Sequence, residues 1–106
     1  MYKYVRKQKY IMDSIERNKT LVSFLTKHGA SKIGIFGSVA RGEDRADSDI
    51  DILVKFKKTP SLFEVVRIEQ EISEIIGKKV QLVTEKSLSP YIKDDVLKEV
   101  VILYEV

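Results

Sequence analysis

Cysteine and tryptophan are missing from this chain of 106 residues, which has only two prolines and a single histidine. Without cysteine the chain can form neither a disulfide nor a zinc site with thiolate ligands. It also lacks an apolar run of the ~18 residues that a membrane-spanning helix needs, and its first residues lack the apolar stretch of a signal peptide. These absences predict a cytoplasmic protein that does not enter a membrane.

The composition is typical of a soluble globular protein, with 43% hydrophobic and 33% charged residues. A chain of this length has room for one core, which predicts a single domain over residues 1–106. Its net charge of +3 is unevenly distributed, because residues 1–32 carry eight Lys or Arg against two acidic residues. This basic part, in which Tyr2, Tyr4 and Tyr10 lie among cations, could bind nucleic acid by stacking on its bases. The favoured alternative is an ordinary solvated helix face.

Two helices are predicted before the first strand. Residues 4–16 have a weak helical pattern, with Ile15 among the positions expected to face inward. Asn18 is a suitable N-cap for a second helix, and Gly29 is a suitable residue to end it. His28 then lies in the last turn, where positive charge suits the helix dipole. We therefore assign this histidine to a helix end rather than to a metal or catalytic site.

The remainder of the chain has strands alternating with helices. Apolar, β-branched runs predict the strands, and the helix at 61–76 begins with the capping-box pattern Ser61-Leu-Phe-Glu64 and repeats isoleucine every three or four residues up to Ile75 and Ile76. The predicted elements are strands Lys32–Phe36 and Asp49–Phe56, helix 61–76, strand Lys79–Thr84, helix 90–99, and Val100–Val106 as a fourth strand or a helical tail. This order predicts an α/β fold of the α+β type, a small mixed sheet of about four strands with helices packed on it.

The segment between the first two strands is the most polar part of the chain. Residues 37–51 contain two glycines, two arginines and five carboxylates within fifteen positions. Asp49 and Asp51 are two residues apart on a strand, so both side chains project from one face, while Ile50 and Ile52 face the other. Two carboxylates about 7 Å apart at the backbone repel each other unless a cation lies between them. Mg²⁺, which prefers oxygen ligands, is the natural ion for this pair.

Gly37 and Ser38 end the first strand and have the features of an anion site. A glycine lets a phosphate approach the backbone, and Ser38 offers its hydroxyl and its N–H. A single helical turn over 39–41 would add further unpaired N–H groups, and Arg41 and Arg45 would add positive charge. An anion site and a metal site on successive strands together indicate phosphoryl or nucleotidyl transfer.

Gly37-Ser38, ten further residues and Asp49-Ile50-Asp51 form the pattern G-S-x10-D-x-D. With its flanking apolar strands, this pattern resembles the minimal nucleotidyltransferase (MNT) family of the DNA polymerase beta-like superfamily. The resemblance implies the nucleotidyltransferase fold, with Mg²⁺ on Asp49 and Asp51 and the triphosphate of ATP on Gly37 and Ser38. It also implies a HEPN-domain toxin as partner, which an MNT antitoxin silences by transferring AMP from ATP to a tyrosine.

One position departs from the family pattern. Active members usually carry a third carboxylate on the third strand, where this chain has Gln81, and a neutral amide cannot act as a base. Glu85 lies about 13 Å further along the strand direction, too far to replace it, whereas Glu43 or Asp47 would have to swing in from the loop. An alternative function is therefore a catalytically weakened or inactive antitoxin that neutralises its partner by binding. A chain this short has little wall around a site, so a partner or a second copy of the chain is a candidate to complete it.

Overall fold

The computed structural model describes residues 13–43, 45 and 48–106. In chain order the elements are helix α1 (Ser14–Lys27), strands β1 (Ala30–Phe36) and β2 (Ile50–Phe56), helix α2 (Leu62–Ile76), strand β3 (Val80–Val83), a short 3₁₀ helix (Glu85–Ser87), helix α3 (Pro90–Glu99) and strand β4 (Val101–Glu105). The predicted α+β class is confirmed, and the last segment is a strand rather than a helical tail. Of the described helices, none is long and apolar enough to cross a membrane.

The start of α1 differs from the prediction. The helix begins after Asp13, whose side chain accepts a hydrogen bond of 2.8 Å from the Glu16 N–H. Asn18 therefore lies inside the helix, and Ile15, predicted to face inward, is 68% exposed. Both predictions were wrong. The helix start was misplaced because aspartate and asparagine are equally good N-caps, so local chemistry cannot choose between them. The predicted first helix at 4–16 lies almost wholly outside the described residues.

The sheet has the strand order β3-β2-β1-β4. β1 pairs with β2 and with β4 in antiparallel fashion, whereas β2 and β3 are parallel. The sheet is therefore mixed, as predicted, and β1 and β2 occupy its centre. The polar segment that connects these two central strands consequently lies near the middle of one end of the sheet.

Side chains alternate across β2 and divide the sheet into two different faces. Ile50, Ile52 and Val54 are at most 2% exposed and belong to the core. They share this core with buried leucines of α1 and isoleucines of α2, namely Leu21, Leu25, Ile68 and Ile72. Because strand side chains alternate, Asp51 and the Asp49 that precedes the strand lie toward the opposite face. Burial of the isoleucines thus fixes the direction in which both carboxylates point.

Helix α2 has the predicted capping box. The Ser61 hydroxyl accepts from the Glu64 N–H, and the Glu64 carboxylate accepts from the Ser61 N–H. These bonds hold the pKa of the Glu64 carboxyl below its usual value. The expectation that Ile75 is part of the inward stripe was wrong, since it is 48% exposed. Ile72 and Ile76 turn to the core instead, four residues apart on one helix face.

Helix α3 is held to the sheet mainly through its C-terminal end. Val96 is its only buried residue, and Tyr91 in its first turn is 94% exposed. Just after the helix, Val100 packs against β1 at Gly34, where a Cβ would lie 2.6 Å from the Val100 Cγ2 atom. The missing side chain of Gly34 therefore creates the space into which the junction of α3 and β4 fits.

Candidate active site

The turn after β1 has the predicted form. The Arg41 N–H donates to the Gly37 carbonyl at 3.1 Å, and the Gly42 N–H donates to the Val39 carbonyl at 3.1 Å, which makes one helical turn. Gly42 ends it with a positive φ of 71°. Among the residues that the structure describes, neither the hydroxyl nor the N–H of Ser38 has a hydrogen-bond partner. Both groups are therefore available to an incoming anion.

Gly37 brings the turn and the carboxylates together. Phe36 lies opposite Asp51 in the β1–β2 pairing, so Gly37 comes directly beside the Asp51 side chain. Its φ is +78°, and a Cβ at this position would collide with the Asp51 carboxylate. Only glycine meets both conditions, since other residues rarely adopt this φ. The turn after β1 can thus lie in contact with the strand that carries the carboxylates.

Asp49 and Asp51 form the second part of the candidate site. Burial raises the pKa of Asp51, and the nearby charges of Asp49 and Glu99 raise it further, while Arg41 opposes the rise. No group of three or more potential metal-ligating side chains occurs within the described ranges. Two carboxylates fit Mg²⁺ nonetheless, because this ion commonly uses one or two protein carboxylates together with water and substrate phosphates. Asp49 and Asp51 could therefore hold Mg²⁺ jointly with a bound triphosphate.

Gln81 lies beside this pair, as the resemblance to the family implied. It is the register partner of Asp51 across the parallel β2–β3 pairing, and its Nε2 donates to the Asp49 Oδ2 at 3.3 Å. Glu85 points elsewhere, with its carboxylate 3.5 Å from the Lys32 ammonium. The position that could hold a third carboxylate is thus filled by a neutral amide.

Glu99 belongs to the same cluster and was missed by the sequence analysis. Its Oε2 accepts from the Gly37 N–H at 2.7 Å, and its Oε1 accepts from the Arg41 Nη1 at 3.1 Å. Arg41 also donates through Nε to Glu43 at 2.9 Å, and the bonds to Glu43 and Glu99 together raise the pKa of the Arg41 guanidinium. Glu99 is 62 residues from Gly37 in sequence and belongs to no motif. One signal was present, since a carboxylate at a helix C-terminus is disfavoured by the helix dipole unless a cation offsets it.

Arg45, the second arginine named by the sequence analysis, is not brought into this cluster. Arg45 is exposed, and its backbone is tied to the loop, with its N–H donating to the Ser48 hydroxyl at 2.7 Å and its carbonyl accepting from the Lys78 ammonium at 3.0 Å. Within the described part of the chain, its guanidinium makes no ion pair with the turn or the carboxylates. Asp47 lies outside the described residues. Of the two predicted arginines, Arg41 therefore carries the charge at the turn.

A family model and two relatives of known or candidate activity all assign this chain to the same family. Residues 19–106 match the family model of the polymerase beta nucleotidyltransferase domain. The protein adenylyltransferase MntA of Thermococcus cleftensis is 42% identical over 87 residues, which cover 74% of this chain and 88% of that protein. A candidate protein adenylyltransferase of Methanocaldococcus jannaschii is 42% identical over 90 residues, covering 85% of this chain and 97% of its own.

Solved structures agree with this family. The structure of a candidate minimal nucleotidyltransferase superposes with a TM-score of 0.70 at 38% identity, over 80% of this chain and 87% of that one. An MNT antitoxin in complex with a tri-AMPylated HEPN toxin of Shewanella oneidensis has a TM-score of 0.68 at 21% identity, over 85% of this chain and 71% of that one, and supports the fold alone. With the glycine turn and the paired aspartates in the arrangement described above, these matches lead to one conclusion: the chain belongs to the polymerase beta nucleotidyltransferase family.

Proposed function

We propose that this protein is a Mg²⁺-dependent nucleotidyltransferase that transfers AMP from ATP to a tyrosine hydroxyl of a HEPN-domain partner, and so acts as an antitoxin. The observation that carries the proposal is the contact between the Gly37 turn and the Asp51 carboxylate, because it brings the proposed anion site next to the proposed metal site. Two relatives at 42% identity are described as protein adenylyltransferases or candidates for that activity. The Shewanella antitoxin with the same fold is bound to an AMPylated HEPN toxin.

Each residue of the cluster has a role in this proposal. The N–H groups of Gly37 and Ser38 and the Ser38 hydroxyl bind phosphate oxygens, and Arg41 supplies positive charge. Asp49 and Asp51 would hold Mg²⁺, which would neutralise phosphate charge and help to orient the phosphates. Burial raises the pKa of Asp51, and the charges of Asp49 and Glu99 raise it further. This fits the proposed role, because a neighbouring cation would favour the ionised carboxylate.

The proposed reaction is a substitution at the α-phosphorus of ATP. The tyrosine oxygen forms a bond to that phosphorus, and the bond from the phosphorus to the oxygen bridging to the β-phosphate breaks. Pyrophosphate leaves with the electron pair of the broken bond, and the hydroxyl proton passes to solvent. Because Gln81 cannot accept that proton, we expect transfer about 10²- to 10⁴-fold slower than with a general base in its place.

The proposal is tested by incubating the protein with a HEPN-domain partner, Mg²⁺ and ATP labelled at the α-phosphate. We expect label on the partner with the wild type and none with Asp49→Ala or Asp51→Ala. Asp94→Ala is the matched control, since it removes an exposed aspartate of α3 and should leave labelling unchanged. Equal labelling by the wild type and by Asp51→Ala would contradict the assignment of the metal site.

A second candidate function is a non-catalytic antitoxin that neutralises its partner by binding. Gln81 is the observation that favours it, because the amide lies at the register position next to Asp51 and offers neither charge nor a proton acceptor. The same assay separates the two functions. Labelling by Gln81→Asp but not by the wild type would reject the enzyme and favour the binding function. Labelling by the wild type would reject the non-catalytic alternative.

A further inference from the structure

The Glu99 carboxylate occupies donors that an anionic ligand would need. The Gly37 N–H donates to its Oε2 at 2.7 Å, and the Arg41 Nη1 lies 3.1 Å from Oε1 and 3.4 Å from Oε2. These are a backbone N–H and a cation of the turn to which the proposed function assigns the nucleotide triphosphate. A carboxylate of the chain itself therefore takes the place of a phosphate.

A phosphate and this carboxylate would compete for the same groups. The Gly37 N–H is a single donor, and charge-assisted hydrogen bonds to carboxylate and to phosphate are of the same kind and similar strength. The Arg41 guanidinium is already bonded on its other side, through Nε to the Glu43 carboxylate at 2.9 Å. A triphosphate could engage both donors fully only after Glu99 has moved away from them.

The Glu99 side chain can leave these donors at little cost in buried surface. The backbone at the end of α3 stays in place, because Val96 and Val100 anchor it to the sheet. Only the side chain has to rotate away from the turn. The Glu99 side chain keeps 28% exposure, so displacement would return the carboxylate to water rather than to the core.

We propose that Glu99 is a positioning residue that stands in for a phosphate. Without nucleotide it holds the Gly37 N–H and the Arg41 guanidinium in the arrangement that an anion requires, and a triphosphate displaces it from both. The identity of the displacing anion rests on the proposed function, while the competition itself does not. Glu99 thus links occupation of the turn to the orientation of its own side chain at the end of α3.

The test is the binding of inorganic tripolyphosphate by calorimetry, which requires no catalysis. Glu99→Gln keeps an acceptor for Gly37 but removes the competing charge, and we expect it to bind tripolyphosphate about tenfold more tightly than the wild type. Glu43→Gln is the matched control, because it removes the same charge from Arg41 without contacting the Gly37 N–H. We expect less than about a twofold change for this control.

A second measurement follows the Gly37 amide by NMR in the wild type. We expect its proton shift to change on addition of tripolyphosphate, because its acceptor changes from carboxylate to phosphate. Should Glu99→Gln fold poorly, Glu99→Asp retains the charge but shortens the side chain, and it should also bind more tightly than the wild type. Thermal melting of each variant establishes that it is folded under the conditions of the assay.

Binding by Glu99→Gln that equals or falls below that of the wild type, with the folded state intact, overturns the proposal. An unchanged Gly37 amide in the wild type at saturating tripolyphosphate overturns it as well. Failure of the proposed function would give a different result. If the protein labels no partner but Glu99→Gln still binds tripolyphosphate more tightly than the wild type, the proposed function is rejected and the Glu99 proposal stands. Equal binding by both proteins, together with labelling of a partner by the wild type, rejects the Glu99 proposal alone.

Discussion

The candidate site has a donor part and an acceptor part, which differ in whether groups of the protein itself neutralise their charge. The donor part, formed by the Gly37 N–H and the Arg41 guanidinium, is matched by the carboxylates of Glu99 and Glu43. The acceptor part consists of Asp49 and Asp51, and near it Gln81 offers only a neutral amide at 3.3 Å from Asp49. One part is therefore compensated by opposite charge within the protein, while the other is left with mutual repulsion.

This difference indicates what each part requires from a ligand. The donor part is already arranged around an anion, so a ligand there has to replace an internal group rather than organise the turn. In the acceptor part, burial raises the pKa of Asp51 and the nearby charge of Asp49 raises it further. Both effects favour a cation between the two carboxylates. A metal and a nucleotide phosphate, arriving together, would satisfy both parts at once.

The largest effect is expected from removing the acceptor part. Asp51→Ala should lower AMP transfer about 10³-fold or more, because the transition state loses several kcal/mol of stabilisation from the bound metal. Rates are measured with α-labelled ATP at saturating Mg²⁺, and addition of EDTA to the wild type should reproduce the loss. A rate that survives both treatments would mean that the acceptor part plays no role in transfer.

The next largest effect is expected from adding charge to the acceptor part. Gln81→Asp would place a third carboxylate beside Asp51, so we expect Mg²⁺ to bind about tenfold more tightly and transfer to accelerate by about 10²-fold. Gln81→Asn, which stays neutral, serves as the control and should bind Mg²⁺ no better than the wild type. Mg²⁺ affinity is measured by calorimetry, and an unchanged affinity in Gln81→Asp would show that this strand does not face the metal.

A smaller effect, on stability, is expected from a substitution at Gly37, where the turn contacts Asp51. Gly37→Ala forces an alanine into positive φ and drives its Cβ into the Asp51 carboxylate, which should lower the free energy of unfolding by about 2–3 kcal/mol. Gly42→Ala is a matched control with a φ of +71° and open space around the added Cβ, and it should cost only about 1 kcal/mol. Urea denaturation compares the two variants, and equal losses would mean that the contact with Asp51 is unimportant.

The smallest effect concerns pH. The pKa of Asp51 is raised above 3.8 in the folded state, so the ionised form lowers stability at neutral pH, and this penalty disappears once the pH falls below 3.8, where the group is protonated in both states. Without metal, Asp51→Asn should therefore raise the melting temperature at pH 7 by about 2 °C, and the gain should vanish in acid. Asp94→Asn, at an exposed aspartate, should change neither value. A gain independent of pH would exclude this charge effect.

The strands, α2 and the glycine–aspartate motif could be predicted because their signals are local. Capping chemistry, alternation and the spacing from Gly37 to Asp51 are all contained within a few residues of each element. The family resemblance also allowed Gln81 to be placed beside the aspartates before its register with Asp51 was known. These features depend on neighbours in sequence or on pairing between strands of fixed geometry.

The rest depended on how distant segments pack. Nothing near Gly37 in sequence indicates that Glu99 would accept its N–H, since the end of α3 reaches the turn only once β4 has paired with β1. The predicted start of α1 was wrong for a different reason. Asp13 and Asn18 are equally suitable N-caps, and only the packing of the helix determines which of them is used. Arg45 was predicted to add positive charge to the anion site. It makes no ion pair at the described part of that site, because its loop is anchored through its backbone.

The packing of Val100 against Gly34 limits which residues can occupy these two positions. The Cγ2 of Val100 lies only 2.6 Å from where a Cβ of residue 34 would be, and Val100 directly follows Glu99 in the chain. Any larger residue at position 34 would displace Val100 and draw the neighbouring carboxylate away from the turn. Positions 34 and 100 should therefore covary among related sequences. A designer who transplants the glycine–aspartate motif into another sheet would need to carry this distant pair along with it.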